Sequence, residues 1–494
     1  MAGSIVYIIL TLFFLGGAIY TGYIVEQAFL VVNAFIYIGF FIVLIYKRSV
    51  TVTWLHLPIG LYVACYWVAC INAVDVETAV LEASRVSSLI PLSLMVTMLS
   101  REKLAKLLFL WPWIGSFLVF IGISFQLERE GRLESTLQYA NVLALILLVG
   151  ILMSMLSFAK APSKVQLILL TINAVGLLLT FSRSVWILWL ISAVAVLLLI
   201  PQLRTKKSIV YMAGCHLASL IIAMAIKQDV LFFLNRVASI QTKTLEFQIR
   251  LVYWKDSFQM FMDYLWGGTG GGGWAVLQHA YQSQEYFVKF IHNHYVQVFL
   301  DIGLIGGLCW LALIAVFVKN GLPLLKSASS TQDVENKGLF IFITVMLLHA
   351  GFDFDLTFPL MLTLLVSLML LMPQKVMALE VKRVKLIAAG TVVILVAFFF
   401  GRMAAGYHWK EQAVRAVRAN DLVYAQEQLK RAERAVPWSS SVLYESAKIY
   451  VRMGNGSGDS SHYEKAEGEL LKAKGMVPEQ KLYNDLLESI NKNE

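Results

Sequence analysis

The sequence predicts an all-α protein: a polytopic bundle of about thirteen transmembrane helices with a large extracytoplasmic loop and a small extracytoplasmic helical-repeat domain. Three observations predict it. Hydrophobic residues make up 58% of the 494 and charged residues only 15%, with a mean hydropathy of +0.69, which excludes an ordinary water-soluble domain. Apolar runs of roughly 20 residues, the length that crosses the hydrocarbon of a bilayer, recur with short polar breaks from residue 4 to about 404. Basic residues collect in alternate loops. The formal charge of +9 therefore reads as membrane topology and not as affinity for nucleic acid.

In order, the runs cover residues 4–22, 27–46, 53–72, 80–99, 104–125, 137–157, 165–181, 184–201, 208–226, 294–318, 337–353, 356–373 and 384–404. The first lacks the charged flank and small-residue cleavage site of a secretory signal, so it is expected to stay as a membrane helix. Cys65, Cys70, Cys215 and Cys309 fall within apolar stretches without metal-ligand spacing, and are read as small core residues. Lys and Arg near helix ends resist translocation. With the N-terminus inside, every cytoplasmic loop is basic, from Lys47 and Arg48 through Arg204, Lys206 and Lys207 to Lys382 and Arg383. The opposite loops include the acidic Asp75, Glu77 and Glu82 and the tight turn Asp353, Phe354, Asp355. This count puts the C-terminus outside.

Two external segments are long enough to hold function. One is the loop at about 227–293, which contains the glycine run Gly267 to Gly273. The other is the tail, so the chain divides into a membrane domain at 1–404 and a helical domain at 405–494. In the tail Ala425, Leu429, Ala432 and Pro437 recur, displaced by 41, as Ala466, Leu470, Ala473 and Pro478. Small residues at that spacing let two helices approach closely. The pattern resembles tetratricopeptide repeats, whose period is roughly 34, with the loop Asn455 to Ser461 supplying the excess. The tail is expected to dock on the external loop, either as a purely structural cap or as a contact for other envelope-assembly proteins.

Ionisable residues at the bilayer are costly and are candidates for function. Arg183 follows Ser182 at the external break between two runs; Arg250 opens Arg-Leu-Val-Tyr-Trp254; His292 and Asn293 introduce the run that continues with His294 and Tyr295. Singly, an arginine here reads as a snorkelling anchor, and a histidine as a helix cap. Together on one side of the membrane they suit a lipid pyrophosphate, because guanidinium groups clamp phosphate oxygens and imidazole exchanges protons near neutral pH. The glycine run lacks the Lys-Ser/Thr ending of a nucleotide loop and reads as a sharp backbone turn. Trp254, Trp266 and Trp274 fit sugar stacking or, preferably, an interfacial aromatic belt.

These segments resemble the O-antigen ligase and polymerase superfamily of bacterial membranes. Its His-Asn, nine residues, Gly-x-x-Gly motif is matched by His292, Asn293, Gly303 and Gly306. Its S-T-x-x-Y-x-N segment resembles Ser135 to Asn141, which includes Tyr139, and its S-R-(S/G) turn resembles Ser182-Arg183-Ser184. One departure is Phe290, where many ligases carry a second histidine. The resemblance spans residues 135–307 and implies a glycosyltransferase on the outer face of the bacterial cytoplasmic membrane, working without metal or cofactor. Its donor would be a polyprenyl-pyrophosphate-linked oligosaccharide and its acceptor a second glycan, with membrane lipids around it. Arg183 and Arg250 would hold the pyrophosphate and His292 would move a proton or bind the leaving phosphate. Asn293, Tyr295, Asn141, Tyr139, Ser182 and Trp254 would position the substrate. Polymerisation of a surface polysaccharide is the favoured reading. Ligation to a lipid, protein or wall acceptor is the alternative, then a lipid-linked glycan transporter or flippase, then a non-catalytic scaffold.

Overall fold

The computed structural model describes residues 2–229, 231, 244–326 and 330–491. Eleven helices precede the long loop: α1 (Ala2–Ile19), α2 (Glu26–Lys47), α3 (His56–Ala69), α4 (Val76–Ser87), α5 (Leu89–Met98), α6 (Arg101–Leu108), α7 (Trp111–Ser124), α8 (Ala140–Lys160), α9 (Lys164–Leu179), α10 (Arg183–Leu199) and α11 (Lys206–Lys227). Two loop helices, α12 (Thr244–Asp263) and α13 (Gly273–Tyr281), lead to α14 (His294–Gly321), α15 (Thr331–Ala350), α16 (Pro359–Leu371) and α17 (Arg383–Arg418). The tail adds α18 (Leu422–Ala435), α19 (Ser440–Ser457), α20 (Ser461–Met476) and α21 (Lys481–Asn491). Of four short strands, β1 (Ser49–Thr53), β2 (Glu128–Arg129), β3 (Arg132–Leu133) and β4 (Val376–Glu380), β1 pairs antiparallel with β4 and β2 with β3. The part of the long loop at 230 and 232–243 lies outside the described residues.

Every predicted apolar run is helical, with two helices in series over 80–99 and over 104–125, and among the described residues eight helical stretches are long and apolar enough to cross a membrane. The chain is an all-α polytopic membrane protein. Polar caps pull several helices beyond the runs that hydropathy alone marks out. Asp75 Oδ1 accepts from the backbone N–H groups of Glu77 and Thr78 at 2.9 and 3.4 Å, so α4 starts at Val76 inside a charged stretch. Ser330 and Asp333 form a reciprocal capping box that starts α15 at Thr331. Burial lifts the Asp75 carboxyl to about 6, with repulsion from Glu77 adding to it against the cap hydrogen bonds.

The centre of the bundle is α8 and α16. Their side chains are apolar on every face and almost all are buried, as expected of helices surrounded by others. The peripheral α11 and α17 bury little and turn apolar side chains outward. The four cysteines are free and only half-buried, so they line the edge of the core and not its interior.

The glycine run is explained by close backbone approach. Gly268, Gly270 and Gly272 have positive φ, and α14 breaks at Gly303, with φ of +67°. A Cβ on Gly303 would lie 2.3 Å from the Trp266 carbonyl oxygen, and one on Gly268 would lie 2.5 Å from that of Asp301. Backbone bonds lock this contact, Thr269 N to Leu300 O at 2.7 Å and Leu304 N to Leu265 O at 2.8 Å. The first glycine of the Gly-x-x-Gly pair therefore lets the loop sit directly on the first turns of α14.

In the tail Ala425, Leu429 and Ala432, and their counterparts Ala466, Leu470 and Ala473, are all buried. Asn455 to Ser457 continue α19, so the connecting turn is shorter than the expected loop. The position expected to divide the chain, 404/405, falls inside the 36-residue α17, which carries the membrane bundle into the tail as one continuous helix. Val276 of α13 shares an apolar cluster with Leu443, Ala447, Ala466 and Leu470. Ser441 donates to Glu77 from N at 2.9 Å and from Oγ at 2.6 Å, so the tail sits on both the loop and the start of α4.

Candidate active site

Four of the expected site residues, His292, Arg250, Tyr139 and Asn141, gather around one acidic turn, between the end of α15 and the start of α16. Asp353 is 1% exposed, and its carboxylate collects donors from two distant segments and from its own turn. Tyr139 Oη donates to Oδ1 at 2.8 Å and to Oδ2 at 3.0 Å; Asn141 Nδ2 donates to Oδ2. His292 Nδ1 lies 3.2 Å from Oδ1, and the Phe354 N–H donates to the same oxygen at 2.9 Å. A carboxylate can only accept, so it fixes the imidazole with its proton on Nδ1 and leaves Nε2 as a base. The His292 side chain is 22% exposed and can be reached from outside.

Burial works against the Asp353 charge. The His292 hydrogen bond, with the charges of His292, His349 and Arg250, overrides it and holds the carboxyl well below the usual range. Two residues on, Asp355 Oδ2 shares a hydrogen bond with His349 Nδ1, and both side chains are fully buried. Burial and repulsion from Asp353 push the Asp355 carboxyl upward in spite of His349.

Neighbouring groups brace the cluster. Arg250 Nη1 donates to the Phe352 carbonyl at 2.8 Å, which places a cation beside the turn. Arg132 donates from Nη2 to Asn141 Oδ1 at 2.7 Å and from Nε to the Thr180 carbonyl at 2.9 Å. Phe354 stacks on Tyr139 with centroids 4.8 Å apart and meets His292 edge-on at 5.1 Å. Phe290 packs on Phe354 at 5.1 Å, so it serves as a wall of the cluster.

The remaining candidates fall into two groups. Arg183 opens α10, with Ser182 as its cap residue; the Ser182 side chain makes no capping bond, and its buried Oγ has no partner. Ser184 Oγ lies 2.9 Å from His349 Nε2, which links α10 to the acidic turn. Asn293, Tyr295 and Trp254 are engaged by the fold instead. The Asn293 side chain caps α14 by accepting from Tyr295 N and Val296 N at 3.0 and 3.2 Å. Tyr295 Oη donates to the Leu347 carbonyl at 2.8 Å, and Trp254 packs in the apolar cluster of the loop. The expected aromatic belt does not include Trp274, which is fully buried and donates to the Val288 carbonyl at 3.2 Å.

Residues 167–311 match the family model described as O-Antigen ligase. This segment is an O-antigen ligase domain. No curated protein matches the chain. The ligase domain includes α10 with Arg183, the loop with Arg250, and His292, and it ends before the acidic turn. The match over this segment supports glycan transfer as the general activity.

Sequence reasoning missed Asp353, Asp355, His349 and Arg132 as members of the cluster. The available signal was the Asp-Phe-Asp turn between two apolar runs. Burying two carboxylates beside a membrane demands partners.

Proposed function

We propose that the protein transfers a glycan from a polyprenyl-pyrophosphate carrier on the outer face of the bacterial cytoplasmic membrane, polymerising the repeat units of a surface polysaccharide. The observation that carries this reading is the His292–Asp353 pair, braced by Tyr139 and Asn141 and flanked by Arg250. Asp353 holds the imidazole so that Nε2 takes the proton of the acceptor hydroxyl. The acceptor oxygen then bonds to the anomeric carbon as the bond from that carbon to the phosphate oxygen breaks, and the electron pair leaves with the lipid pyrophosphate. Arg250 and Arg183 supply positive charge to that leaving group, so the reaction needs no metal.

In this reading the thirteen helical runs cross the membrane with the N-terminus inside and the C-terminus outside. The acidic turn, the long loop and the tail then share the outer face. Residues 1–404 form the transfer unit, and the tetratricopeptide-like tail at 405–494 stabilises the loop and offers a surface to envelope-assembly proteins.

The test is to incubate purified protein in lipid vesicles with a polyprenyl-pyrophosphate oligosaccharide and separate products by size. A ladder of longer lipid-linked chains, absent in His292→Ala, is the expected result. Transfer only to an added non-carrier acceptor would replace the polymerase with a ligase. Donor crossing the vesicle without any transfer would overturn the enzyme reading.

A further inference from the structure

The acidic turn carries a second His–Asp pair that the transfer step above leaves unused. Asp353 serves His292, whereas Asp355 serves His349, and His349 in turn meets Ser184 in the first turn of α10, next to Arg183. The two imidazoles differ in access: the His292 side chain is 22% exposed and the His349 side chain not at all. Ser184 is half-buried, so it is the member of the second set that can meet a ligand.

We propose that Ser184, His349 and Asp355 form a proton relay that serves the leaving phosphate, the acid counterpart of the His292–Asp353 base. The inference rests on the glycan-transfer reading and adds a catalytic residue to it, Ser184, with His349 and Asp355 as positioning residues. Charge balance on the turn supports it. Two buried carboxylates two residues apart cannot both stay bare. Asp353 is stabilised as an anion by its donors. Asp355 has one oxygen on His349 and the other, Oδ1, without a partner, so this pair retains a proton.

The placement of that proton fixes the direction of the relay. Whether it resides on the carboxyl or on Nδ1, the second ring nitrogen, Nε2, carries a hydrogen and donates it to Ser184 Oγ. The Ser184 O–H is then released to donate outward, at a helix start where the cap residue Ser182 makes no side-chain bond. An anion is favoured at such a terminus. When the glycosidic bond to phosphate breaks, the Ser184 proton passes to the leaving phosphate oxygen and Nε2–H restores it. The pair is left as a carboxylate and a neutral imidazole protonated on Nδ1. His292 has meanwhile gained the acceptor proton. Exchange of one proton with water resets both pairs. The charged groups facing the relay are Asp353 and Asp355 on the turn, Arg250 from α12 and His292 before α14, with Arg183 adjoining Ser184 in sequence.

The relay is tested by the pH–rate profile of glycan transfer in vesicles. Wild type should give a bell, with an acid limb from the base and an alkaline limb from the relay. Ser184→Ala should lower kcat by about 100-fold, leave the donor KM in place and remove the alkaline limb. Ser184→Thr should restore both, and Asp355→Asn should behave like Ser184→Ala. Should Ser184→Ala fold poorly, Ser184→Gly applies, since it also removes the hydroxyl and must lose the same limb. Wild-type kcat with an intact alkaline limb in Ser184→Ala or Ser184→Gly overturns the relay. If His292→Ala is inactive in the same assay, the transfer reading survives that failure; if His292→Ala transfers glycan normally, both readings fall.

Discussion

Replacing Asp353 with asparagine keeps the size of the side chain and removes one acceptor, and the surroundings leave no comfortable orientation for the new amide. At the Oδ1 position the donor is partly backbone, the Phe354 N–H at 2.9 Å, which cannot turn away. At the Oδ2 position the donor is the Asn141 amide, whose own oxygen is held by Arg132 at 2.7 Å, so flipping Asn141 costs that bond. Either placement sets donor against donor in a buried site, at about 1.5–3 kcal/mol for the lost charged hydrogen bonding. The imidazole of His292 also loses the acceptor that fixes its tautomer. The expected result is a lower thermal midpoint in detergent and a transfer rate reduced about 10²–10⁴-fold. Because the two residues act as a unit, the Asp353→Asn, His292→Ala double variant should be no slower than His292→Ala. Wild-type transfer in Asp353→Asn, or losses that multiply in the double variant, would refute the pairing.

Gly303→Ala should lower the thermal midpoint, at a cost of about 1–3 kcal/mol, because its Cβ would meet the Trp266 carbonyl at 2.3 Å where φ is +67°; an unchanged melt would mean that the loop does not sit on α14 as described. The Asp75 carboxyl is raised by burial to about 6, so its contribution is greatest below the ordinary carboxylate range and is lost as pH rises towards 6. Melts of Asp75→Asn should lack that decline, after allowing for a constant cost from the altered cap, and a decline that persists would count against Asp75 as its source. If Arg132 is what stops Asn141 from turning, Arg132→Ala should make Asp353→Asn less damaging, with a coupling of at least about 0.5 kcal/mol in a double-mutant cycle; strict additivity would sink that account.

Much of the fold was legible because membrane helices advertise themselves by length and composition, and each apolar run became helix. Their ends were less legible where a single polar side chain decides them, as Asp75 and Ser330 do. For the site, His292, Arg183, Arg250, Tyr139 and Asn141 lie in recognisable local segments, and the structure places all but Arg183 on or beside one turn while Arg183 adjoins Ser184. What local reading could not supply was the centre. Asp353 contacts Tyr139 and Asn141 across 214 and 212 positions, and in sequence it resembles a solvated acid in a short loop. His349 was hidden for the opposite reason, since it lies in an apolar run where a lone histidine reads as filler.

The acidic turn also explains why two carboxylates are tolerated there. A membrane interior would impose a heavy penalty on each charge, yet the turn lies where α8, α10 and α14 begin and α15 ends. Helix starts bring groups that favour negative charge: the positive end of α10, and Tyr139 and Asn141 at α8. His292 arrives from just before α14, and Arg250 is tied to the carbonyl of Phe352. The negative charge of the turn is thus compensated before substrate arrives, and a pyrophosphate adding further charge would have to draw on Arg183, Arg250 and the α10 terminus. On the proposed reading, that division keeps the base at His292 from being neutralised by the donor it acts beside, since Arg183 and the α10 terminus hold the anion while Asp353 orients the imidazole.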